Sequence, residues 1–379
     1  MISFELTEEQ AVLQNTAREF AEKEMKPVAA KYDEGHEFPW DVMQKAFDVG
    51  FLYSSIGEEF GGGGLGALDT VVVSEELARG CAGLFTSIMA NSLALTPILL
   101  FGTDEQKKEF LPPFTKEMTF AAFNLTEPQA GSDAGNMLST AKKSGDEYIL
   151  NGTKCFITNG GVAKLHVVFA NTDKEKGTRG MSAFIVPSDL PGVTVGKLED
   201  KMGHRASNTV EMIFEDVKIP ASNLIGKEGI GFLIAMKTLD KARPSVGAAG
   251  VGVARAALEY AIEYAKTREQ FGKPIAFFQN TAFKLADIAM EVDAARYLVW
   301  KSAWLLDNNQ KATREAAMAK AYASDVAMRS SVEALQVLGG YGYMKDYPME
   351  KLVRDAKLLQ IYEGTNEIQR LVISREIMG

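Results

Sequence analysis

The spacing of apolar positions changes character twice along the chain. From residue 6 to about 118 it is helical. Leu6, Leu13, Ala17, Phe20 and Ala21 fall at helical intervals, and Thr7 with Gln10 reads as a capping box. Residues 68–78, with Val71, Val72 and Leu77, predict a further helix. Thr103-Asp104 predicts the cap of a short one that Pro112-Pro113 stops. From 119 to about 227 the apolar runs are short and β-branched: Tyr148-Ile149-Leu150, Lys154-Cys155-Phe156-Ile157-Thr158, His166-Val167-Val168-Phe169-Ala170, Ser182-Ala183-Phe184-Ile185-Val186 and Val210-Glu211-Met212-Ile213-Phe214. Turn signals such as Ser144-Gly145-Asp146, Asn151-Gly152 and Leu190-Pro191-Gly192 lie between them, which predicts an all-β module. The intervals are too short for crossover helices, so a parallel sheet is not expected. Helical spacing returns over 233–267, with Pro244 as an expected kink, then over 278–307, 313–338 and 349–360, with a last helix from Asn366. Short breaks such as Asp307-Asn308-Asn309 imply antiparallel neighbours in a bundle. The expected fold is α+β and mainly α: residues 1–118 helical, 119–228 a β barrel or sandwich, 229–379 a helical bundle.

Composition narrows the function. Of 379 residues, 41 are Lys or Arg and 50 are Asp or Glu, a net charge of −9. So acidic a chain repels phosphate backbones, and no nucleic-acid partner is expected. Two distant cysteines, Cys81 and Cys155, make no disulfide framework and suit a reducing compartment. His36, His166 and His204 are scattered, so no metal is expected. The first five residues lack the basic and apolar regions of a signal peptide. The most apolar stretch, 88–101, is too short to span a bilayer. The expectation is a soluble cytoplasmic protein with no membrane span.

Several motifs offer chemistry. Gly61-Gly62-Gly63-Gly64-Leu65-Gly66 fits G-x-G-x-x-G, but helical segments follow it where a dinucleotide site needs alternating βαβ, so a mobile surface loop is expected. The run 126–133, Thr-Glu-Pro-Gln-Ala-Gly-Ser-Asp, joins the helical and β zones. It is either an ordinary turn or a cofactor loop, with Gly131 admitting close approach and Thr126 and Ser132 offering hydroxyls. Phe156 and Thr158, two apart on a strand, share a face that is either core or a surface for a flat ring. Arg268-Glu269-Gln270-Phe271-Gly272 with Phe278-Gln279 is a solvated connection or a site for a phosphate and a ring. Gln336-Val337-Leu338-Gly339-Gly340 is a helix C-cap or a backbone approach to a pyrophosphate. Glu363 sits at a corner between a helix ending near Gln360 and one capped by Thr365. Most such glutamates are solvated, but Ile361 and Tyr362 beside this one suit a general base.

Together and in this order, these segments resemble the acyl-CoA dehydrogenase family of flavoproteins, near its short- and medium-chain members. Glu58-Glu59-Phe60-Gly61-Gly62, Asn91-Ser92-Leu93, Met202-Gly203 and Phe214-Glu215-Asp216-Val217 extend the match over essentially the whole chain. The resemblance implies a C-terminal four-helix bundle, with FAD between it and the β domain. Phe123, Leu125, Thr126, Gly131 and Ser132 would bind it, with Phe156 and Thr158 beside the isoalloxazine. Arg268, Gln270, Phe271, Phe278 and Gln279, with Gln336, Leu338, Gly339 and Gly340, would hold pyrophosphate and adenosine across a subunit boundary, so a homotetramer is expected. Thr365 and Glu367 would lie near the same cofactor. Glu363 matches the base that takes the α-proton of an acyl-CoA while the β-hydrogen leaves as hydride to flavin N5, giving the trans-2-enoyl-CoA.

In the family the backbone N–H of that Glu and a ribityl hydroxyl stabilise charge on the thioester oxygen. Ser132, Asp240, Arg243, Tyr362 and Gly364 match substrate contacts, and electron-transferring flavoprotein is the implied acceptor. Some members carry the base at the position of Ala242, which cannot take a proton. Met89 falls where some medium-chain members place an acid deep in the acyl cavity. An acyl-CoA oxidase of this fold is usually longer, a glutaryl-CoA-type enzyme needs a cation near Met89, and a DNA-binding relative needs a basic surface. A non-catalytic CoA-ester-binding protein would have no use for Glu363.

Overall fold

The computed structural model describes residues 5–379; the reading of the first residues as no signal peptide rests largely on 1–4 and lies outside them. The Thr7 hydroxyl accepts from Gln10 N while the Gln10 side chain accepts from Thr7 N, so the capping box starts α1 (Glu8–Phe20) where expected. Next come α2 (Ala29–Gly35), α3 (Trp40–Asp48), α4 (Ala67–Gly80), α5 (Ala82–Phe101), α6 (Asp104–Phe110) and α7 (Pro112–Lys116). Pro112 also opens α7, where a missing N–H costs nothing. The glycine run follows turns rather than a strand and is tied back by Gly62 N→Gly57 O, Gly64 N→Ile56 O and Leu65 N→Ser54 O bonds. It is a surface turn fixed by its own backbone bonds, with no alternating βαβ around it.

Helix α5 starts six residues before the apolar stretch read from the sequence, because Thr86 and Ser87 are buried along with their apolar neighbours. It is long and apolar enough to cross a membrane by composition, but 61% of its apolar window is buried inside the fold. Its buried Asn91 accepts from Ala121 N at 3.0 Å, which fastens α5 to the first strand.

The middle segment holds β1 (Ala121–Asn124), β2 (Thr140–Ser144), β3 (Glu147–Thr158), β4 (Leu165–Asn171), β5 (Met181–Pro187), β6 (Val193–Leu198), β7 (Thr209–Pro220) and β8 (Leu224–Ile225). They form one sheet in the order β6-β7-β3-β2-β4-β5-β8, with β1 beside β4. Most pairings are antiparallel, as expected; β1–β4 and a single β2–β4 bridge are parallel, the β2–β3 hairpin supplying the long crossover between β1 and β4 that no helix provides. One expectation fails. Asn151-Gly152 is no turn: it lies inside the 12-residue β3 as a bulge opposite β7, and Asn151 exchanges hydrogen bonds with Asp216 there.

The chain ends in α8 (Gly231–Thr267), α9 (Gln279–Asp307), α10 (Thr313–Leu338), α11 (Met349–Leu359) and α12 (Asn366–Met378). Helix α8 runs unbroken through Pro244. It packs on α9 and α10 of its own bundle and on α4 of the N-terminal helices, so one helix joins both helical layers.

Candidate active site

Three walls enclose a cavity of about 1140 Å³ between the sheet, α8 and the corner after α11. The sheet wall is built on a buried ion pair. Lys154, on β3, donates to Glu127 Oε1 at 2.7 Å and to the Leu125 carbonyl at 3.1 Å. The Glu127 carboxylate also accepts from Leu138 N, Ser139 N and Gln129 Nε2. These donors, Lys154 foremost, hold it down to about 2 against the upward push of burial. Cys155 N→Thr126 O, at 3.0 Å, completes the tie between loop and strand.

Just beyond, the β3–β7 register slips, and Lys154 and Cys155 are buried in succession. The slip puts Phe156 in a left-handed conformation (φ 59°) with 64% of its surface exposed. A bulky residue held there is strained, and such strain collects at binding sites. Phe156 and Thr158 both face the cavity, as do Phe123, Leu125, Thr126 and Ser132.

The α8 wall presents Ala242 and Arg243. The Arg243 guanidinium is buried and donates to Asp240 Oδ1 at 2.7 Å, while its Nε has no partner among the described residues.

The third wall is the corner carrying Glu363. Glu363 (φ 52°) and Gly364 (φ 92°) are both left-handed, so the chain reverses within two residues. Gln369 Nε2 donates to both their carbonyls, and Lys320 Nζ donates to Gly364 O at 2.7 Å. The Thr365 hydroxyl accepts from Ile368 N and caps α12 as expected. Glu363 Oε2 is buried with no hydrogen-bond partner among the described residues. Burial pushes the carboxyl up to about 7, with Lys320 and Arg243 pulling the other way.

Tyr362 stands edge-on to buried His204, ring centroids 5.9 Å apart. His204 Nε2 faces the Asp355 carbonyl at 3.0 Å, so it carries the proton and leaves Nδ1 to accept from Thr86 Oγ1. This wall is therefore polar behind and apolar in front.

Tyr362, Gly364 and Thr365 line the same cavity as Glu363. Asp240 does not: its carboxylate is taken by Arg243 and Thr313. Glu367 lies on the exposed first turn of α12, beside a smaller polar pocket. Arg268 lies over the Tyr341 ring instead, and Gln270, Phe271, Phe278 and Gln279 share its hairpin region away from the cavity. Gln336, Gly339 and Gly340 are exposed at the end of α10, whereas the Leu338 side chain is buried, leaving only its backbone to offer. Sequence reasoning missed Lys320, Asn366 and Gln369, which brace the corner from behind. The signal for Lys320 was its phase: it falls on the stripe of Ala316, Ala319 and Ala323 that α10 buries.

Gly131 tests whether the sheet wall suits a bound group. It lines the cavity, its φ is not positive, and a Cβ there would meet nothing within 4 Å. Neither backbone conformation nor packing demands glycine, and the loop there is open to a group pressed against it. Gly131→Ala should leave the melting temperature of FAD-free protein within about 1 °C of wild type, the effect of a substitution that touches nothing. It should weaken FAD binding by about tenfold, read by fluorescence titration; unchanged affinity would remove the loop from the cofactor site.

Family models match all three segments: the acyl-CoA dehydrogenase N-terminal domain over residues 7–117, the middle domain over 122–217 and the C-terminal domain over 229–378. The chain belongs to the acyl-CoA dehydrogenase family. Membership makes it an FAD-dependent oxidoreductase. It is 47% identical over 378 residues to the mitochondrial short-chain specific acyl-CoA dehydrogenase of Rattus norvegicus, covering 99% of this chain and 92% of that one. Butyryl-CoA dehydrogenase from Megasphaera elsdenii superposes with a TM-score of 0.97 at 45% identity, each chain fully covered. A chain from a structure of the electron transferring flavoprotein of Acidaminococcus fermentans, also fully covered, gives 0.97 at 47% identity. As in the reading from sequence, this acyl-CoA dehydrogenase has a helical N-terminal part, a central sheet and a helical C-terminal part.

Proposed function

We propose that this acyl-CoA dehydrogenase desaturates a short, straight-chain acyl-CoA to the trans-2-enoyl-CoA and hands its electrons to an electron-transferring flavoprotein. One observation carries the reading: an unpartnered, buried carboxyl at Glu363, raised to about 7, on the wall opposite Phe156, Thr158 and Thr126. A base must meet its proton close to neutral pH, and burial sets Glu363 there. Bound FAD supplies the acceptor for the β-hydrogen. Glu363 takes the α-proton, and the buried Arg243 Nε is a donor free for an oxygen of the ester. The names of the rat and Megasphaera relatives support a short acyl chain, and the Acidaminococcus structure supports the acceptor. The buried free thiols Cys81 and Cys155 fit a reducing, cytoplasmic setting. Anaerobic bleaching of the flavin should be fastest with butyryl-CoA and slower with octanoyl- and palmitoyl-CoA. Palmitoyl-CoA reacting fastest would overturn the short-chain reading.

The same reading makes the enzyme a homotetramer whose FAD is completed by a neighbouring copy. Phe271 is 94% exposed, Phe277 71% and Tyr343 75%, side chains that a partner would cover. Gly340 has open space where a Cβ would stand. Light scattering should give a mass near four chains, and a fully active monomer would sink this placement.

A further inference from the structure

We propose that Lys320 is a positioning residue for the base: it clamps the corner that carries Glu363, and its ammonium favours the ionised form of that carboxyl. The inference rests on Glu363 being the base. Lys320 is fully buried on α10, in a stripe otherwise made of alanines. Its Nζ donates to Gly364 O at 2.7 Å and to Asn366 Oδ1 at 3.0 Å. Asn366 in turn donates to Ala321 O, Ser324 Oγ and Asp325 Oδ1, so its amide is fixed and cannot drift from the lysine. These two bonds hold the left-handed Gly364 carbonyl and with it the direction of Glu363.

A neutral donor would make the same bonds, so the charge needs its own reason, because burying an unpaired ammonium is costly. The surrounding charges supply that reason by elimination. Asp325 is paired with Arg370 and also bonds Gln360. Asp240 is paired with Arg243, the second cation that draws Glu363 down. Glu367 is exposed on the first turn of α12. From α11, Asp355 is paired with Lys351 and bonded to neutral His204, beyond Tyr362. Glu363 alone among these carboxylates has a buried oxygen without a partner. Lys320 bonds the Gly364 carbonyl rather than the Glu363 carboxylate, so its charge draws Glu363 down without occupying the oxygen that must take the proton. Burial in turn pushes Lys320 down to about 7, so lysine and carboxyl titrate over the same range.

The test replaces Lys320 by Met, which keeps length and loses charge and donors, and by Arg, which keeps the charge. Flavin bleaching by butyryl-CoA is followed anaerobically across about pH 5.5–8.5, roughly one and a half units either side of a base near neutrality. Binding of a 3-oxoacyl-CoA is followed in parallel. That ligand can lose its α-proton but has no β-hydrogen to give, so its enolate absorbance reports proton removal alone. Lys320→Met should lower both signals by about 10- to 100-fold at neutral pH, the effect of misplacing a catalytic group by about an ångström. Its acid limb should move to higher pH, because the carboxylate loses a cation. Lys320→Arg should restore the limb even where the rate stays low. FAD content should match wild type in both. If Lys320→Met does not fold, Lys320→Gln, which can still donate to Gly364 O, is compared with Lys320→Arg. An acid limb that is the same in charged and neutral variants would overturn the inference while leaving Glu363 as base. A wild-type protein that no acyl-CoA bleaches would overturn the proposed function and this inference together.

Discussion

Glu363→Gln should hold FAD and bind acyl-CoA but lose turnover by more than the roughly 10²–10⁴-fold usual for a general base. The amide fills the same space and keeps polarity, so the corner bonds from Gln369 and Lys320, which go to backbone carbonyls, persist. What is lost is the carboxylate of that wall; on the α8 wall, Ala242 has no proton acceptor and Arg243 is a cation. Wild-type bleaching should rise with pH through about 7, where Glu363 ionises, and level off above it. The residual rate of the variant should show no such limb. Adding Ala242→Glu places a carboxylate on the α8 wall of the same cavity and should recover part of the rate.

Stability gives an independent check of sign. A carboxyl raised from 4.5 to about 7 in the folded protein holds its proton more tightly there than in the unfolded chain. Its contribution is present below 4.5 and is lost as pH rises towards 7. Glu363→Gln removes that loss, so at pH 8 it should melt above wild type. Near wild-type bleaching in the single variant would show that Glu363 is not the base.

The fold was legible because its periods are clean. The 3.6-residue spacing of the ends, the β-branched middle and the caps at Thr7, Thr103 and Thr365 all report local physics, and each cap is found in place. Legibility failed where a residue answers to a distant one. Asn151-Gly152 has turn chemistry, but Asp216 on the neighbouring strand absorbs the asparagine and leaves a bulge. The β1–β4 pairing depends on a hairpin inserted between them, which no local pattern encodes. In the site, Glu363 was readable from its apolar neighbours and from family resemblance. Its raised pKa was not, because that depends on how far the corner is buried against α8 and α10. Lys154 and Glu127, 27 residues apart, gave no sign of meeting.

Breaking that ion pair is expected to have the largest effect on stability. Both side chains are buried, with exposures of 0% and 2%, and the Glu127 carboxylate gathers four donors from loop and strand. Lys154→Met fills the volume but leaves the carboxylate charged and without its cation, a loss of about 3–5 kcal/mol in such settings. The effect should reach the cofactor, because Lys154 also holds the Leu125 carbonyl beside Thr126. FAD should dissociate faster, in step with the lowered urea midpoint.

The pH dependence follows from Glu127, held down from 4.5 to about 2. A depressed carboxyl contributes stability that is present above 4.5 and lost as pH falls towards 2. In Lys154→Met much of that contribution is gone already at neutral pH, so the acid decline should flatten over the same window. Lys154→Met with Glu127→Gln removes the stranded charge and should regain part of the loss, although one carbonyl oxygen cannot serve both Leu138 N and Ser139 N as the two carboxylate oxygens do. A single variant within about 1 kcal/mol of wild type, the range of an exposed salt bridge, would mean that the loop is held by its backbone bonds and that the pair is incidental.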